Sequence, residues 1–504
     1  MARTRPGGRT RLAARRPMAG PWSGKREGRM SESNSEDGGL ARRDAPAAAP
    51  GGRRFGSALG FVLVAVGAAV GLGNVWKFPY LAGENGGAVF VLLYLFFLLV
   101  VALPILVAEV AIGRRGRASP PHALARQAAE FGRRSGFWRG AGVVGVWMSL
   151  VIMSFYSVVG GWTILFFVEA AQGFAAFADA AGALAHQHAL ENDPLAMLGL
   201  QLLFILATVA IVAGGVRSGI ERSMRVMAPL MAVLLLVVVG FALVQGAAAR
   251  ALSWLFAADW AKLDASLALA ALGQAFFTLS VGIGGMMTYG AYLPDAASPL
   301  RTSLAVAAAD TAVALLAGLA VFPIVFAHGL DPAAGPALIF ITLPMAFHAM
   351  PGGAVIGGAF FLFLLLAALT SAVALYEPFV AWRIERGMSR IRATVLAAAI
   401  SWGFGLVTVA SFSFARDMHP LGFLGGAFAS MTGFDLITRG IDKLVLPLGA
   451  LLIAWFAARV MAERAWAAVF PGDPPVLVRL LRLGLKSWVP LAILVLLLAG
   501  LLPG

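Results

Sequence analysis

Cysteine is absent from this chain of 504 residues, which excludes disulfides and thiolate metal centres. Charge is scarce: Asp, Glu, Lys and Arg together make up 13% of the residues. Asparagine is rarer still, with four copies at positions 34, 74, 85 and 192. No H-E-x-x-H, G-x-S-x-G or phosphate-loop pattern occurs, so nothing marks an enzyme and no organic cofactor is implied. Short alternating apolar segments are missing too, which argues against an outer-membrane barrel.

Apolar residues fill the gap. They make up 60% of the chain, and mean hydropathy is +0.84. A soluble domain leaves too many residues near water to hide that much apolar surface. Many runs approach the roughly 20 apolar residues that cross a hydrocarbon core. The chain reads as an all-α membrane protein with about eleven spans. These lie near 57–80, 87–112, 140–170, 195–214, 224–246, 266–292, 302–327, 354–382, 392–412, 434–459 and 486–502. The Gly-rich segment 419–433 reads as an external loop.

The net charge of +14 raises the question of nucleic acid, but the basic residues gather at helix ends and in the first 54 residues. That is the pattern of the positive-inside rule, and no nucleic-acid partner is read from it. The basic segments "GRRGRASPPHALARQAAEFGRR", "RSGIERSMR", "WRIERGMSRIR" and "VRLLRLGLK" fall on the side shared by the N-terminus. Loops 172–193 and 328–352 are poor in Lys and Arg. This alternation places the N-terminus in the cytoplasm and, with eleven spans, the C-terminus outside. Residues 1–54 read as a disordered basic cytoplasmic tail without the apolar core of a signal peptide.

Two spans carry residues that a simple membrane crossing avoids. Span one contains "GAAVGLGN" at 67–74, and span six contains "FFTLSVGIGG" at 276–285. Backbone that leaves the helix inside a bilayer must find new partners, because an unmet amide or carbonyl there costs several kcal/mol. A cation can satisfy freed carbonyls, and a carboxylate can satisfy freed amides. Paired interruptions in corresponding places of two halves point to a substrate site at the membrane midplane. Asn74 is the one asparagine inside a span. Asp310 sits in the apolar run "LAVAAADTAVALLAG", where a charge costs about 3 kcal/mol or more without compensation. Thr370 and Ser371 admit two readings, as ligands or as hydroxyls bonded back to the preceding turn.

The stretch "GAAVGLGNVWKFPYLAGENGGAVFVLLYLFFLLVVALPILVAEVAIGR", with "GQAFFTLSVGIGGMMTYGAYL", "DTAVALLAG" and "LTSAVALYEP", resembles the neurotransmitter:sodium symporter family, bacterial leucine-transporter type. The resemblance covers about 55–466. It implies a 5+5 inverted repeat with discontinuous helices 1 and 6, the repeats at about 55–250 and 261–466. Residues 467–504 would then hold a cytoplasmic connection and the last transmembrane helix.

By this resemblance, one Na⁺ uses the Ala69 carbonyl, Asn74, Thr278 and Asp310, completed by the substrate's carboxylate. A second uses the carbonyls of Gly67, Val70 and Ala367 with the hydroxyls of Thr370 and Ser371. Such mixed oxygen sets suit a hard monovalent cation. The substrate's polar end is expected near Ala69, Gly71, Leu72, Gly73, Tyr156, Phe277, Thr278 and Ser371. Its side chain is expected among Ile152, Phe277, Ser280, Ile283 and Leu375, which bear no charge. A charged side chain there would be left unpaired at a cost of several kcal/mol, so a hydrophobic or aromatic amino acid is expected. With Asp310 as a fixed negative charge and Ala314 one turn on, the transport is expected to be chloride-independent.

The resemblance also implies gates. Outside, Lys77 and Thr438 stand at the family's usual pair of positions, which implies a gate that is weaker, water-bridged or shifted to Lys77–Asp435, one turn earlier. Inside, Arg53 and Arg54 are expected opposite Glu385, with Tyr292 nearby, while Glu109 in span two is expected to bond the unwound part of span six. The implied function is sodium-coupled import of an amino acid by alternating access, in the inner (plasma) membrane. The alternative is a non-transporting amino-acid receptor on the same fold. The partners are then a small amino acid and the lipid bilayer, with oligomeric state left open.

Overall fold

The computed structural model describes residue 55 and residues 58–501. The basic tail read over 1–54, with Arg53 and Arg54, lies outside the described residues. Every regular element among the described residues is helical. Among the described residues, nine helices are long and apolar enough to cross a membrane: Ala88–Gly116, Ser135–Ala171, Pro194–Ala213, Val216–Gln245, Pro299–Ala327, Gly353–Ile384, Arg390–Phe412, Gly433–Val460 and Pro475–Gly500. A tenth crossing is the pair Leu59–Ala69 and Gly73–Glu84, bent by 50° at its break. The eleventh is also broken, into Ala265–Thr278 and Gly285–Tyr292. We number these crossings 1–11 in chain order. Five is odd, so spans 6–10 start on the opposite side of the membrane from spans 1–5. The two halves are inverted repeats, and each begins with a broken helix.

Helix starts follow local chemistry. Asp193 accepts the Ala196 N–H at span 4, and the Ser298 hydroxyl accepts the Arg301 N–H at span 7. Asp264 takes the Leu267 N–H at 2.7 Å before span 6, and this bond holds its carboxyl below the usual carboxylate range.

The break in span 6 is set by backbone conformation. Gly282 and Gly284 lie at φ 102° and 80°, and Ser280 takes the left-handed region at φ 50°. The exposed backbone then finds a partner: Glu109 Oε1 in span 2 accepts the Gly282 N–H at 2.6 Å. This is the role expected for Glu109, and the carboxylate lies fully buried.

The structure departs from the sequence reading outside the spans. The loops expected at 113–134, 172–193 and 328–352 contain helices Pro120–Glu130, Ala180–Glu191 and Leu343–Ala349. Span 11 is itself made of two helices: the amphipathic Pro475–Lys486 precedes the apolar Trp488–Leu501, which coincides with the expected 486–502. Arg479, Arg482 and Lys486 interrupt the hydropathy count in the first of these, yet the helix tolerates them. Arg482 turns inward to bond the end of span 10, and long basic side chains at a membrane boundary extend toward water.

Candidate substrate and sodium site

The break in span 1 frees carbonyls by diverting the amides that would have bonded them. In an unbroken helix, Gly71, Leu72 and Asn74 would donate to residues four earlier. Here the Gly71 N–H goes to Asn74 Oδ1 (3.0 Å), the Leu72 N–H to Tyr156 Oη (3.3 Å), and the Asn74 N–H to the Gly71 carbonyl (3.1 Å). The carbonyls of Gly67, Ala68 and Val70 turn instead toward span 8. Ser371 Oγ lies 3.5, 3.3 and 3.1 Å from them. Thr370 Oγ1 lies 3.4 Å from the Val70 carbonyl and 2.9 Å from that of Ala367. The structure thus gathers the five residues expected for the second sodium, and adds Ala68. All are oxygen donors without charge, and a hydroxyl can rotate its hydrogen away to present a lone pair. This donor set fits Na⁺.

The second cluster centres on Asp310, which is fully buried in span 7. Its carboxylate accepts from Asn74 Nδ2 at 2.7 Å and from Thr278 Oγ1 at 2.9 Å. Asn74 Nδ2 also lies 3.0 Å from Thr278 Oγ1 and 3.1 Å from the Asp310 carbonyl. Tyr94 donates to the carboxylate at 3.3 Å, a partner the sequence reading missed. Asp310 forms no ion pair among the described residues. A buried carboxylate surrounded by neutral donors is the environment that a cation compensates, so this set also fits Na⁺.

Between the two breaks lies one cavity. It is lined by all twelve residues expected for the substrate: Ala69, Gly71, Leu72, Gly73, Ile152, Tyr156, Phe277, Thr278, Ser280, Ile283, Ser371 and Leu375. Ala68, Gly285, Met286, Tyr289, Ala374 and Leu446 complete the wall. Gly285, Met286 and Tyr289 belong to the second half of span 6, whose position after the break has no local signal, and Ala68, Ala374 and Leu446 are apolar residues that helical spacing does not separate from core. No charged side chain among the described residues lines the cavity. Gly71 is required by close approach: a Cβ there would strike Ser371 Oγ and come within 2.9 Å of Tyr156 Oη.

The gates need correction. Lys77 pairs with Asp442 at 2.5 Å, not with Asp435, and its Nζ lies 3.7 Å from the centroid of the Phe277 ring. Asp435 is occupied at the start of span 10, where its carboxylate and the Thr432 hydroxyl cap each other's backbone N–H groups. Thr438 bonds back to the Phe434 carbonyl at 2.9 Å. Asp442 is the second residue of the wider π-helical turn Ile441–Val445, which shifts the facing side chain beyond the reach of simple helical counting.

On the other side, Tyr292 does not meet Glu385. Its hydroxyl donates to Glu377 at 2.8 Å, and Glu377 is clamped by Arg390 at 2.6 and 3.1 Å. Glu385 binds the Ser119 N–H at 2.7 Å, the Ser119 hydroxyl, and His122 at 2.5 Å, at the start of helix Pro120–Glu130. The acid nearest to Tyr292 sits two turns earlier in span 8 than expected. Linear spacing does not reveal which turn of span 8 faces span 6.

The model of the sodium:neurotransmitter symporter family matches residues 53–194 and 182–412. An uncharacterised sodium-dependent transporter of Bacillus subtilis, YhdH, is 36% identical over 80% of this chain and 87% of its own length. An uncharacterised sodium-dependent transporter of Haemophilus influenzae is 29% identical over 89% of this chain and 98% of its own. Among solved structures, MhsT in complex with L-phenylalanine superposes with a TM-score of 0.81 at 37% identity, covering 89% of this chain and 99% of that one.

Proposed function

Because this chain belongs to the sodium:neurotransmitter symporter family, and is thus a sodium-dependent membrane symporter, we propose that it imports a hydrophobic amino acid, aliphatic or aromatic, with two sodium ions. The observation that carries this reading is the charge-free cavity between the two breaks, with the buried Asp310 cluster beside it. The cavity has no counter-charge for an acidic or basic side chain. The solved relative with L-phenylalanine supports the aromatic option.

In this mechanism the substrate carboxylate enters beside Gly71 and reaches the sodium held by Asn74, Thr278, Asp310 and the Ala69 carbonyl. Tyr156 Oη accepts from Leu72, which leaves its own O–H free to donate to that carboxylate. The α-ammonium then meets carbonyls around Ala69, Phe277 and Thr278. Because sodium and substrate share a ligand, each raises the other's affinity, and by linkage the effect is reciprocal. Filling the site draws Lys77 and Phe277 over its outer mouth. Opening the other side requires release of the contacts around Tyr292, Glu377 and Glu385. The Asp310 charge takes the place of an anion, and Ala314 offers no donor to one, so transport proceeds without chloride. The alternation of loop charge supports insertion in the inner (plasma) membrane with the N-terminus cytoplasmic.

Binding of a panel of tritiated amino acids to the purified protein, with and without Na⁺, tests the substrate reading. Phenylalanine, leucine and their apolar analogues should bind only with Na⁺. Preference for glutamate or lysine would overturn it. Sodium-driven accumulation and counterflow in proteoliposomes separate transport from mere reception.

A further inference from the structure

Beyond span 10 the chain forms a short helix, Glu463–Ala467, and returns through the amphipathic first half of span 11, Pro475–Lys486, into its apolar half, Trp488–Leu501. These helices enclose a groove of about 650 Å³ that shares no lining residue with the transport cavity. Arg464, Arg479, Arg482 and Lys486 line it, against two acids, Glu463 and Asp473. Asp473 is already committed: its oxygens take the Ser298 hydroxyl at 2.6 and 2.7 Å, and Arg301 Nε lies 3.6 Å away. None of the four cations has an ion pair among the described residues.

Arg482 is the decisive group. It is 7% exposed, and its Nη2 donates to the Met461 carbonyl at 2.6 Å, closing the end of span 10. Its Nε and Nη1 have no partner among the described residues. A buried guanidinium with unmet donors is costly unless an acceptor reaches it, and a charged phosphate oxygen is a strong acceptor for such a donor. Val476, Leu480 and Leu483 are exposed on the same helix at spacings of four and three, so they form one apolar stripe. Free phosphate has no use for that stripe; acyl chains do.

We propose that this groove binds the phosphate of an anionic phospholipid headgroup, its acyl chains lying along Val476, Leu480 and Leu483. Basic pockets beside membrane helices recognise such headgroups. Assignment to the cytoplasmic leaflet rests on the topology proposed above; the binding itself does not.

The test uses the full-length protein in nanodiscs of mixed phosphatidylglycerol and phosphatidylcholine, with retained lipid counted by native mass spectrometry. Wild type should retain phosphatidylglycerol preferentially. Arg479→Gln and Lys486→Gln alter exposed side chains and should each lower that preference about fivefold, with Arg482→Gln lowering it at least as much. Equal retention of the two lipids, or an unchanged preference in the Arg479→Gln/Lys486→Gln double variant, overturns the proposal. So does displacement of phosphatidylglycerol by inorganic phosphate at concentrations where the lipid binds no better. Nanodiscs expose both faces, and sodium-dependent amino-acid binding by the same samples reports separately on the transport reading.

Discussion

Replacing Asp310 by asparagine removes one charge and little else. Three donors converge on the carboxylate: Asn74 Nδ2 at 2.7 Å, Thr278 Oγ1 at 2.9 Å and Tyr94 Oη at 3.3 Å. Two of these are hydroxyls, which can accept as well as donate, so an asparagine NH₂ facing them finds partners. The fold should therefore survive Asp310→Asn. Without sodium, the variant should be as stable as wild type or more so, because a buried uncompensated charge has gone. Sodium binding loses the one carboxylate ligand that the protein itself supplies. Losing a buried charged partner costs about 2–5 kcal/mol, and a central value of about 3 kcal/mol corresponds to roughly 100-fold in sodium affinity. The assay is a sodium titration of tritiated phenylalanine binding, paired with thermal unfolding in the presence and absence of sodium. The expected result is a half-saturating sodium concentration about 100-fold higher and loss of the sodium-dependent rise in Tm. A folded variant with unaltered sodium dependence would refute the placement of the first cation.

Gly71→Ala forces a methyl group against Tyr156 Oη and Ser371, an overpacking of about 1–3 kcal/mol that should weaken phenylalanine binding roughly tenfold. Gly199→Ala, where nothing lies within 4 Å, is the silent control. A double-mutant cycle of Lys77→Ala and Asp442→Ala, read by unfolding or by substrate dissociation, should show about 1 kcal/mol of coupling, because the pair is partly exposed. Asp435→Ala should show no coupling to Lys77 and should weaken the start of span 10 by about 1 kcal/mol. Arg390→Ala strands the fully buried Glu377 and should destabilise the protein by about 3–5 kcal/mol; an unchanged Tm would contradict the buried pair. Replacing chloride by gluconate should leave uptake unchanged, and a collapse of uptake would assign Asp310 a different role.

The amino-acid order alone determined the membrane crossings, the two interruptions and the residue types that meet there. Each is a local property: a long apolar run, a cluster of glycines, or a polar side chain where lipid penalises it. Asn74 and Asp310 stood out for that reason, and the structure places them 2.7 Å apart although they are 236 residues apart in the chain. Motif resemblance extended this to uncharged residues such as Ile152 and Leu375, which periodicity by itself does not distinguish from ordinary core.

Tertiary structure decided how the charges pair. Lys77 meets Asp442 and not Asp435, because a cap claims one acid and a π-helical turn presents the other. Tyr292 meets Glu377, and Glu385 goes to Ser119 and His122, because the rotation of span 8 settles which turn faces which neighbour. The same holds for Met286 and Tyr289, brought into the cavity by the break before them. Helical phase across a break and the choice among equivalent acids depend on packing between distant segments, and such packing leaves no mark in any local stretch of residues.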